Sequence, residues 1–241
     1  MFPKVLLFAP ISQVKDYCLP QWLEHISNLT YENYHVYLVD NSDDSNFFKK
    51  YADSFPNIDY SWYNPKGLRS QDFIAQSQEK GRQYAINGKF DYIMSIECDV
   101  FPPLDVIERL LNHKNDVVCG IYQWGFGDNR KPLIQVAEHF DTHFQNRNMQ
   151  FDEAYHFVDG TTKDIFHAGI GCALISAKVF YKIFFRSEQD SDAHSDTWFA
   201  FDCWMRNFNI VADTSVFCLH DNQAWSYQEE LIKNNQNVKI R

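Results

Sequence analysis

Short apolar runs that alternate with helix-like segments are the feature that most constrains how this chain can fold. The runs have the composition of buried strands, and the segments between them carry apolar residues at helical spacing. Such alternation builds βαβ units around a mostly parallel sheet with helices on both faces, so we predict a single α/β domain. The predicted strands are KVLLFAP, YHVYLVD, IDYSWY, FDYIMSI and DVVCGIY, and the predicted helices cover 17–29, 41–55, 71–87 and 104–113.

The alternation of predicted strands and helices ends after residue 122. Residues 123–166 mix charged and aromatic side chains without strong strand patterns, which predicts an inserted region of loops and short strands that recognises a second substrate. Regular elements return with HAGIGCALISAKVFYKIFF, and the last predicted strand ends at His220. A polar tail follows at 221–241, where we expect a helix and a frayed end.

Composition narrows the class of protein. With 241 residues, 45% of them hydrophobic, the chain can bury a substantial core. No apolar run approaches the ~20 residues of a membrane span, so no transmembrane segment is expected. The net charge of −10 argues against broad binding to a nucleic-acid backbone. Six scattered cysteines without a CxxC pair, and the absence of a signal peptide, favour a reduced protein in the cytoplasm.

Polar clusters follow three of the predicted strands. They are Pro10-Ile11-Ser12, Asp40-Asn41-Ser42 and Glu97-Cys98-Asp99. Parallel sheets bind ligands outside the carboxyl ends of their strands, so the three clusters are expected to meet at one edge of the sheet.

Two acids of one of these clusters, Glu97 and Asp99, come at the end of a buried strand and before Pro102-Pro103. Like charges one residue apart are costly unless a cation lies between them, and carboxylates suit Mg²⁺ or Mn²⁺ bridged to phosphate. A solvated loop with two acids is the alternative interpretation. His220, at the end of DTSVFCLH, is either an ordinary histidine or a further metal ligand.

Four motifs in sequence resemble nucleotide-sugar glycosyltransferases of the A-type fold, in particular the large family-two-like group. They are VDNSDD, SIECDVFPP, HAGIGCALISAKVF and SDTWFAFDCWMRNFNIVADTSVFCLH, which together span roughly residues 3–220. The resemblance implies a Rossmann-like nucleotide-diphospho-sugar transferase domain, with a nucleotide-sugar half at 1–121 and an acceptor half at 122–220. It implies that Glu97 and Asp99 hold Mn²⁺ or Mg²⁺ on the donor diphosphate and that His220 completes the coordination. It also implies that Asp40 contacts the nucleoside, and we place Pro10, Asn41 and Ser42 in the same donor site.

The chain departs from the family pattern at two positions. The usual metal segment is Asp-x-Asp, and here the first acid is Glu97, so we expect Asp99 to be the direct ligand and Glu97 to act through water or on the ribose. Inverting members commonly carry Glu-Asp where this chain has Ser195-Asp196. Asp196 then serves either as the general base for the acceptor hydroxyl or as a cap of the helix that begins there.

Further candidates complete the predicted site. Gly169 and Gly171 allow close approach of a sugar or an acceptor, or are plain turn residues. Arg82, with Lys66 and Arg69, is a candidate to counter the diphosphate charge.

The sequence therefore predicts a metal-dependent glycosyltransferase that uses a nucleoside-diphosphate sugar, with uridine as the first expectation. The acceptor class is open among a glycan, a lipid-linked sugar, a protein, a small molecule and a modified nucleobase. The alternatives are a non-catalytic nucleotide-sugar-binding module of the same fold and a metal-dependent nucleotidyltransferase. Neither a P-loop, a GxGxxG nor a GxSxG motif occurs in the chain.

Overall fold

The computed structural model describes residues 2–124, 131–139, 145–148, 153 and 156–221. Its helices are α1 (Leu19–Ser27), α2 (Lys49–Ala52), α3 (Ser70–Asn87), α4 (Val106–Leu111), α5 (Ala177–Phe180) and α6 (Ser195–Met205), with a 3-10 turn at Gln13–Lys15. Its strands are β1 (Val5–Ile11), β2 (Tyr34–Asp40), β3 (Ile58–Trp62), β4 (Tyr92–Ile96), β5 (Val100–Phe101), β6 (Val117–Ile121), β7 (Gln123–Trp124), β8 (Lys131–Pro132), β9 (Ile134–His139), β10 (Gln145–Asn148), β11 (Thr162–Asp164), β12 (His167–Ala168), β13 (Cys172–Ser176), β14 (Ile210–Phe217) and β15 (Leu219–His220).

Eight of these strands form a central sheet in the order β11-β14-β6-β13-β4-β1-β2-β3. The β1, β2, β3 and β4 strands run parallel, as do β6 and β14, which confirms the predicted α/β class. The β13 strand is antiparallel to both of its neighbours. The chain leaves β6 at the carboxyl edge of the sheet and enters β13 there, beside Ile96, so β13 runs back in the opposite direction.

A hydrophobic core lies on each face of the sheet, because alternate residues of a strand point to opposite sides. In β1, Leu6 and Phe8 pack into the core that also contains residues of α3, α5 and α6. Val5 and Leu7 pack into the other core, which contains residues of α1 and α4. Helices therefore cover both faces, as predicted.

The segment after β2 is less helical than predicted. Its only helix is α2, whereas the sequence pattern predicted a helix over 41–55. Asp40 explains the difference, because its carboxylate accepts backbone N–H bonds from Ser42 at 3.0 Å and from Phe48 at 3.2 Å. These bonds fold residues 41–48 into a loop around the side chain, which is how Asp and Ser commonly compete with helices.

The region after β6 contains short strands where it is described. The β9 strand pairs with β10 and β12, β7 pairs with β8, and β11 forms an edge of the central sheet. The predicted tail from residue 222 onward lies outside the described residues. Among the described helices, none has the length and apolar character needed to cross a bilayer.

Candidate metal and nucleotide site

The turn that follows β4 brings Glu97 and Asp99 to the carboxyl edge of the sheet. The Glu97 backbone N–H donates to the Gly171 carbonyl at 3.0 Å, and the Val100 N–H donates back to the Glu97 carbonyl at 2.9 Å. The chain then enters β5, which pairs with β15 so that Val100 lies opposite His220. A two-stranded ribbon thus places the late histidine beside the two acids.

These three side chains form a compact set of metal-ligand atoms. One ligand atom from each of Glu97, Asp99 and His220 lies within 4.8 Å of the others. His220 Nε2 is 3.3 Å from Asp99 Oδ2, and its Nδ1 lies 2.5 Å from the Gln123 carbonyl oxygen. A proton on Nδ1 donates to that carbonyl. In the neutral tautomer that a metal-binding histidine adopts, this leaves the Nε2 lone pair free for a cation, whereas a protonated Nε2 donates to Asp99. Two carboxylates and one imidazole fit Mn²⁺ or Mg²⁺.

Burial makes the charge on this cluster costly. Desolvation, followed by the nearby negative charge of Asp99, raises the pKa of Glu97 to about 7. Burial also opposes ionisation of Asp99, but the His220 hydrogen bond and the Lys15 charge outweigh it, so the pKa of Asp99 is lowered. Lys15 Nζ forms an ion pair with Asp99 Oδ2, and that contact raises the pKa of Lys15 although burial opposes it. Without a metal, Glu97 therefore holds a proton for much of the time at neutral pH.

Tyr122 is a site residue that the sequence interpretation missed. Its hydroxyl accepts the Gly171 N–H at 3.0 Å, and its ring meets the His220 ring edge-on at a centroid distance of 5.4 Å. The run DVVCGIY ends on this tyrosine at the carboxyl edge of the sheet. Its position at the end of a predicted strand is the sequence feature that could have identified it as a site residue.

Because Gly169 and Gly171 have no side chain, Tyr122 and Glu97 can pack against their backbone. A Cβ atom at residue 169 would lie 2.2 Å from the Tyr122 hydroxyl oxygen, and one at residue 171 would lie 2.8 Å from Glu97 Oε2. Both distances are far below van der Waals contact, so only glycine fits without displacing the neighbours. A direct contact of either glycine with a ligand stays a prediction.

Asp196 lies in the first turn of α6. Its Oδ1 accepts the Thr197 N–H at 2.8 Å, and its Oδ2 is 3.4 Å from Nε2 of the buried His167. Burial would raise the pKa of Asp196, but the interactions with His167 outweigh it and lower the pKa. The Asp196 charge in turn contributes to the raised pKa of Glu97. Ser195 is buried, and its hydroxyl contacts the Gln78 side chain on α3.

A groove of about 770 Å³, lined by both polar and apolar residues, lies at the carboxyl ends of β1, β2 and β3. Lys15, which contacts Asp99, directly follows the groove residues Gln13 and Val14 in the chain. The groove is lined by Ser12, Gln13, Val14, Asn41, Asp43, Asn64, Pro65, Lys66, Gly67, Leu68, Ser70 and Phe73.

The other predicted residues at these strand ends, Pro10, Asp40 and Ser42, do not line the groove. Asp40 is fully buried with its carboxylate bonded to backbone N–H groups, so it shapes the loop and does not face the groove, contrary to the direct nucleoside contact that the resemblance implied. The buried Ser42 hydroxyl accepts the Gln13 N–H at 2.8 Å and ties the loop to the turn after β1. Pro10 lies near the end of β1, opposite Val39.

Arg82 does not lie with the acids, so we remove it from the candidate donor site. Its buried guanidinium pairs with Glu79 at 2.6 Å and donates to the Phe180 carbonyl at 2.7 Å. Phe180 lies after the end of β13. The last residue of β13, Ser176, pairs with the first residue of β4, whereas Glu97 follows the last residue of β4, so Phe180 and Glu97 lie beyond opposite ends of β4. Both guanidinium contacts are structural.

Arg69 is likewise occupied, by Asp72 at 2.8 Å and by the backbone carbonyls of Glu188, Gln189 and Ser191. Lys66 is the one residue of the predicted cation group that lines the groove.

Comparisons with solved structures identify the fold. No family model matches the sequence, and a search of curated proteins finds no match. GalNAc-T7, solved with UDP, GalNAc and Mn²⁺, superposes with a TM-score of 0.65 at 10% identity over 90% of this chain and 44% of that one. The mannosyltransferase PcManGT from Pyrobaculum calidifontis, in complex with GDP-Man and Mn²⁺, gives 0.60 at 13% identity over 95% and 60%. Residues 1–349 of S. aureus TarS, in complex with UDP, give 0.56 at 11% identity over 96% and 64%.

The chain thus covers less than two thirds of each of these structures, and identities this low bear on the fold alone. The chain has the A-type nucleotide-sugar glycosyltransferase fold, as the four sequence motifs predicted.

Proposed function

We propose that this protein is a metal-dependent glycosyltransferase that takes its sugar from a nucleoside diphosphate, with a uridine nucleotide as the first candidate. The observation that carries the proposal is the convergence of Glu97, Asp99 and His220 at the carboxyl edge of the sheet, the edge at which the groove also lies. Similar structures solved with UDP or GDP-Man, two of them with Mn²⁺, support the same assignment.

The acid cluster is the proposed metal site. Glu97, Asp99 and His220 Nε2 would hold Mn²⁺ or Mg²⁺, and a bound cation of this kind neutralises the charge that develops on the leaving diphosphate. The Gln123 carbonyl orients His220, and the Tyr122 hydroxyl together with Gly171 holds the turn that carries Glu97. A cation bound between Glu97 and Asp99 would explain why two acids follow a buried strand.

The groove is the proposed nucleoside site. Asn41, Asp43 and Asn64 offer hydrogen-bonding groups for a base and a ribose, and Phe73 offers an apolar wall. Asp40 and Ser42 contribute by fixing the loop that presents Asn41 and Asp43. We propose that the diphosphate extends from this groove toward the acid cluster.

Asp196 is the proposed general base. As the acceptor oxygen attacks the anomeric carbon, its proton passes to the Asp196 carboxylate, while the bond from that carbon to the diphosphate oxygen breaks. The lowered pKa keeps Asp196 ionised at neutral pH, so it is ready to accept the proton. Its Oδ1 is engaged by Thr197, which leaves Oδ2, beside His167, as the atom we assign to this role.

The acceptor is proposed to bind on the 122–220 side of the domain. Its chemical class stays open among those that the sequence interpretation named. We keep the cytoplasm as the proposed location, because all six cysteines are buried and unpaired.

The test is a donor-turnover assay with the purified chain, Mn²⁺ and a panel of UDP-, GDP- and CDP-sugars, in which release of the nucleoside diphosphate is measured. We expect slow hydrolysis of one donor that EDTA and Asp99→Asn both abolish, while Asp59→Asn, at an exposed acid on β3, leaves it intact. Pyrophosphate release from a nucleoside triphosphate would instead favour a nucleotidyltransferase. Tight donor binding without turnover, even with acceptor extracts present, would favour a binding module.

A further inference from the structure

We propose that Lys15 is the resident counter-ion of Asp99 and becomes a ligand of the donor diphosphate when the divalent cation binds. This inference rests on the proposed function and names a residue that neither the sequence motifs nor the fold comparison assigns. It follows from the contacts of Lys15, from the position of its turn beside the groove, and from the charges around it.

The Lys15 ammonium group lies directly against the metal cluster. It forms an ion pair with Asp99 Oδ2, the same oxygen that lies 3.3 Å from His220 Nε2. The Asp99 side chain is only 4% exposed, whereas the Lys15 side chain is 39% exposed, so the lysine reaches in from the solvent side. Lys15 thus supplies part of the positive charge that the buried Asp99 carboxylate requires.

A divalent cation changes this arrangement. A cation held by Asp99 and His220 Nε2 would use the oxygen that Lys15 contacts, and two cations on one buried oxygen repel each other strongly. Lysine carries its charge on a flexible four-carbon stem, so it can turn away without unfolding the turn that bears it. Lys15 would therefore leave Asp99 as the metal enters.

The groove offers Lys15 its new partner. Ser12, Gln13 and Val14, the three residues before it, all line the proposed nucleoside site. The nearest acid along the chain, Asp16, is already held by Lys50 at 2.7 Å and by the Tyr51 hydroxyl. A diphosphate that extends from the groove to the metal would pass the Lys15 ammonium group, and this anion would replace the carboxylate that the lysine has lost.

The two roles predict opposite effects of one substitution, Lys15→Met, which keeps the length of the side chain and removes its charge. Mn²⁺ alone should bind about tenfold more tightly than to the wild type, because no ammonium group competes for Asp99. UDP, or whichever diphosphate binds the wild type, should bind about tenfold more weakly at saturating Mn²⁺, because a charged hydrogen bond to the diphosphate is lost. Lys15→Arg should recover most of the nucleotide affinity.

Both affinities are measured by isothermal titration calorimetry, with free Mn²⁺ followed independently by electron paramagnetic resonance. Lys50→Met is the matched control, since it removes an ion-paired lysine near the same turn and should change neither affinity. Unchanged Mn²⁺ binding in Lys15→Met would overturn the counter-ion role, and unchanged nucleotide binding would overturn the diphosphate role while leaving the proposed function intact. A wild-type protein that binds Mn²⁺ but no nucleoside diphosphate would refute the proposed function and the diphosphate role together, and the Mn²⁺ titration would still decide the counter-ion role.

Discussion

Tyr122→Phe removes one oxygen atom from the centre of the candidate site and tests how the site is supported. That oxygen accepts the backbone N–H of Gly171, and the Gly171 carbonyl in turn accepts the Glu97 N–H at 3.0 Å. Both Tyr122 and Gly171 are buried, so water cannot readily replace the lost acceptor. A buried donor without a partner costs about 1–3 kcal/mol. For a domain of this size, each kcal/mol lowers the melting temperature by about 2–4 °C, so we expect a fall of roughly 2–12 °C.

The same change should weaken metal binding, although Tyr122 is not a proposed ligand. The turn that carries Glu97 is fixed through Gly171, and loss of such a supporting contact typically costs tenfold or more in metal affinity. We expect Mn²⁺ to bind Tyr122→Phe about tenfold more weakly, measured by calorimetry beside thermal melting.

Tyr34→Phe is the matched control for this prediction. The Tyr34 hydroxyl donates to the Ile26 carbonyl at 2.8 Å, far along the chain from the site, so its removal should cost about 1 kcal/mol and leave Mn²⁺ affinity unchanged. If Tyr122→Phe melts like the wild type and binds Mn²⁺ equally well, the reasoning about this support is refuted.

Three further predictions follow from the geometry. Asp196→Asn should bind nucleotide and Mn²⁺ normally in calorimetry but lose about 100-fold or more in transfer rate, and a variant with full turnover would exclude Asp196 as the base. Mn²⁺ affinity should rise with pH through about 7 in pH-stepped titrations, because a proton on Glu97 competes with the metal; a flat profile would contradict the raised pKa. By the same linkage, since the folded pKa of Glu97 lies above its unfolded value, its contribution to metal-free stability is present at low pH and is lost as pH rises toward 7. Arg82→Ala should lower the melting temperature without changing nucleotide affinity, and a selective loss of nucleotide binding would return Arg82 to the donor site.

Much of the fold could be predicted because local patterns and tertiary structure agree. Strand periodicity placed β1, β2 and β4 within a residue or two, and Gly88 ends α3 as a helix stop should. The acid pair was found because like charges after a buried strand are costly wherever they occur. His220 was assigned through the family resemblance, since no local pattern reveals that β5 and β15 pair.

What the sequence did not reveal depends on contacts between distant segments. Tyr122 and Lys15 look like ordinary residues until the sheet brings them to Gly171 and Asp99. The direction of β13 depends on the edge at which the chain returns after residue 121. The expected helix over 41–55 is shortened by one buried carboxylate, Asp40, whose partners cannot be inferred from spacing. Arg82 precedes the acid strand closely in sequence, but its guanidinium pairs with Glu79 and Phe180 and not with the acids.

The most direct test of the account is a thermal-melt panel of the wild type and Asp99→Ala with UDP, GDP, CDP and ATP, each with and without Mn²⁺. A ligand at about a hundred times its dissociation constant stabilises by roughly 2.7 kcal/mol, which for this domain raises the melting temperature by about 5–10 °C. The account predicts such a rise with one nucleoside diphosphate, only when Mn²⁺ is present, and not in Asp99→Ala. A rise that is independent of Mn²⁺ or of Asp99, or no rise with any nucleotide, would contradict the proposal that Glu97, Asp99 and His220 hold a metal for a nucleotide-sugar donor.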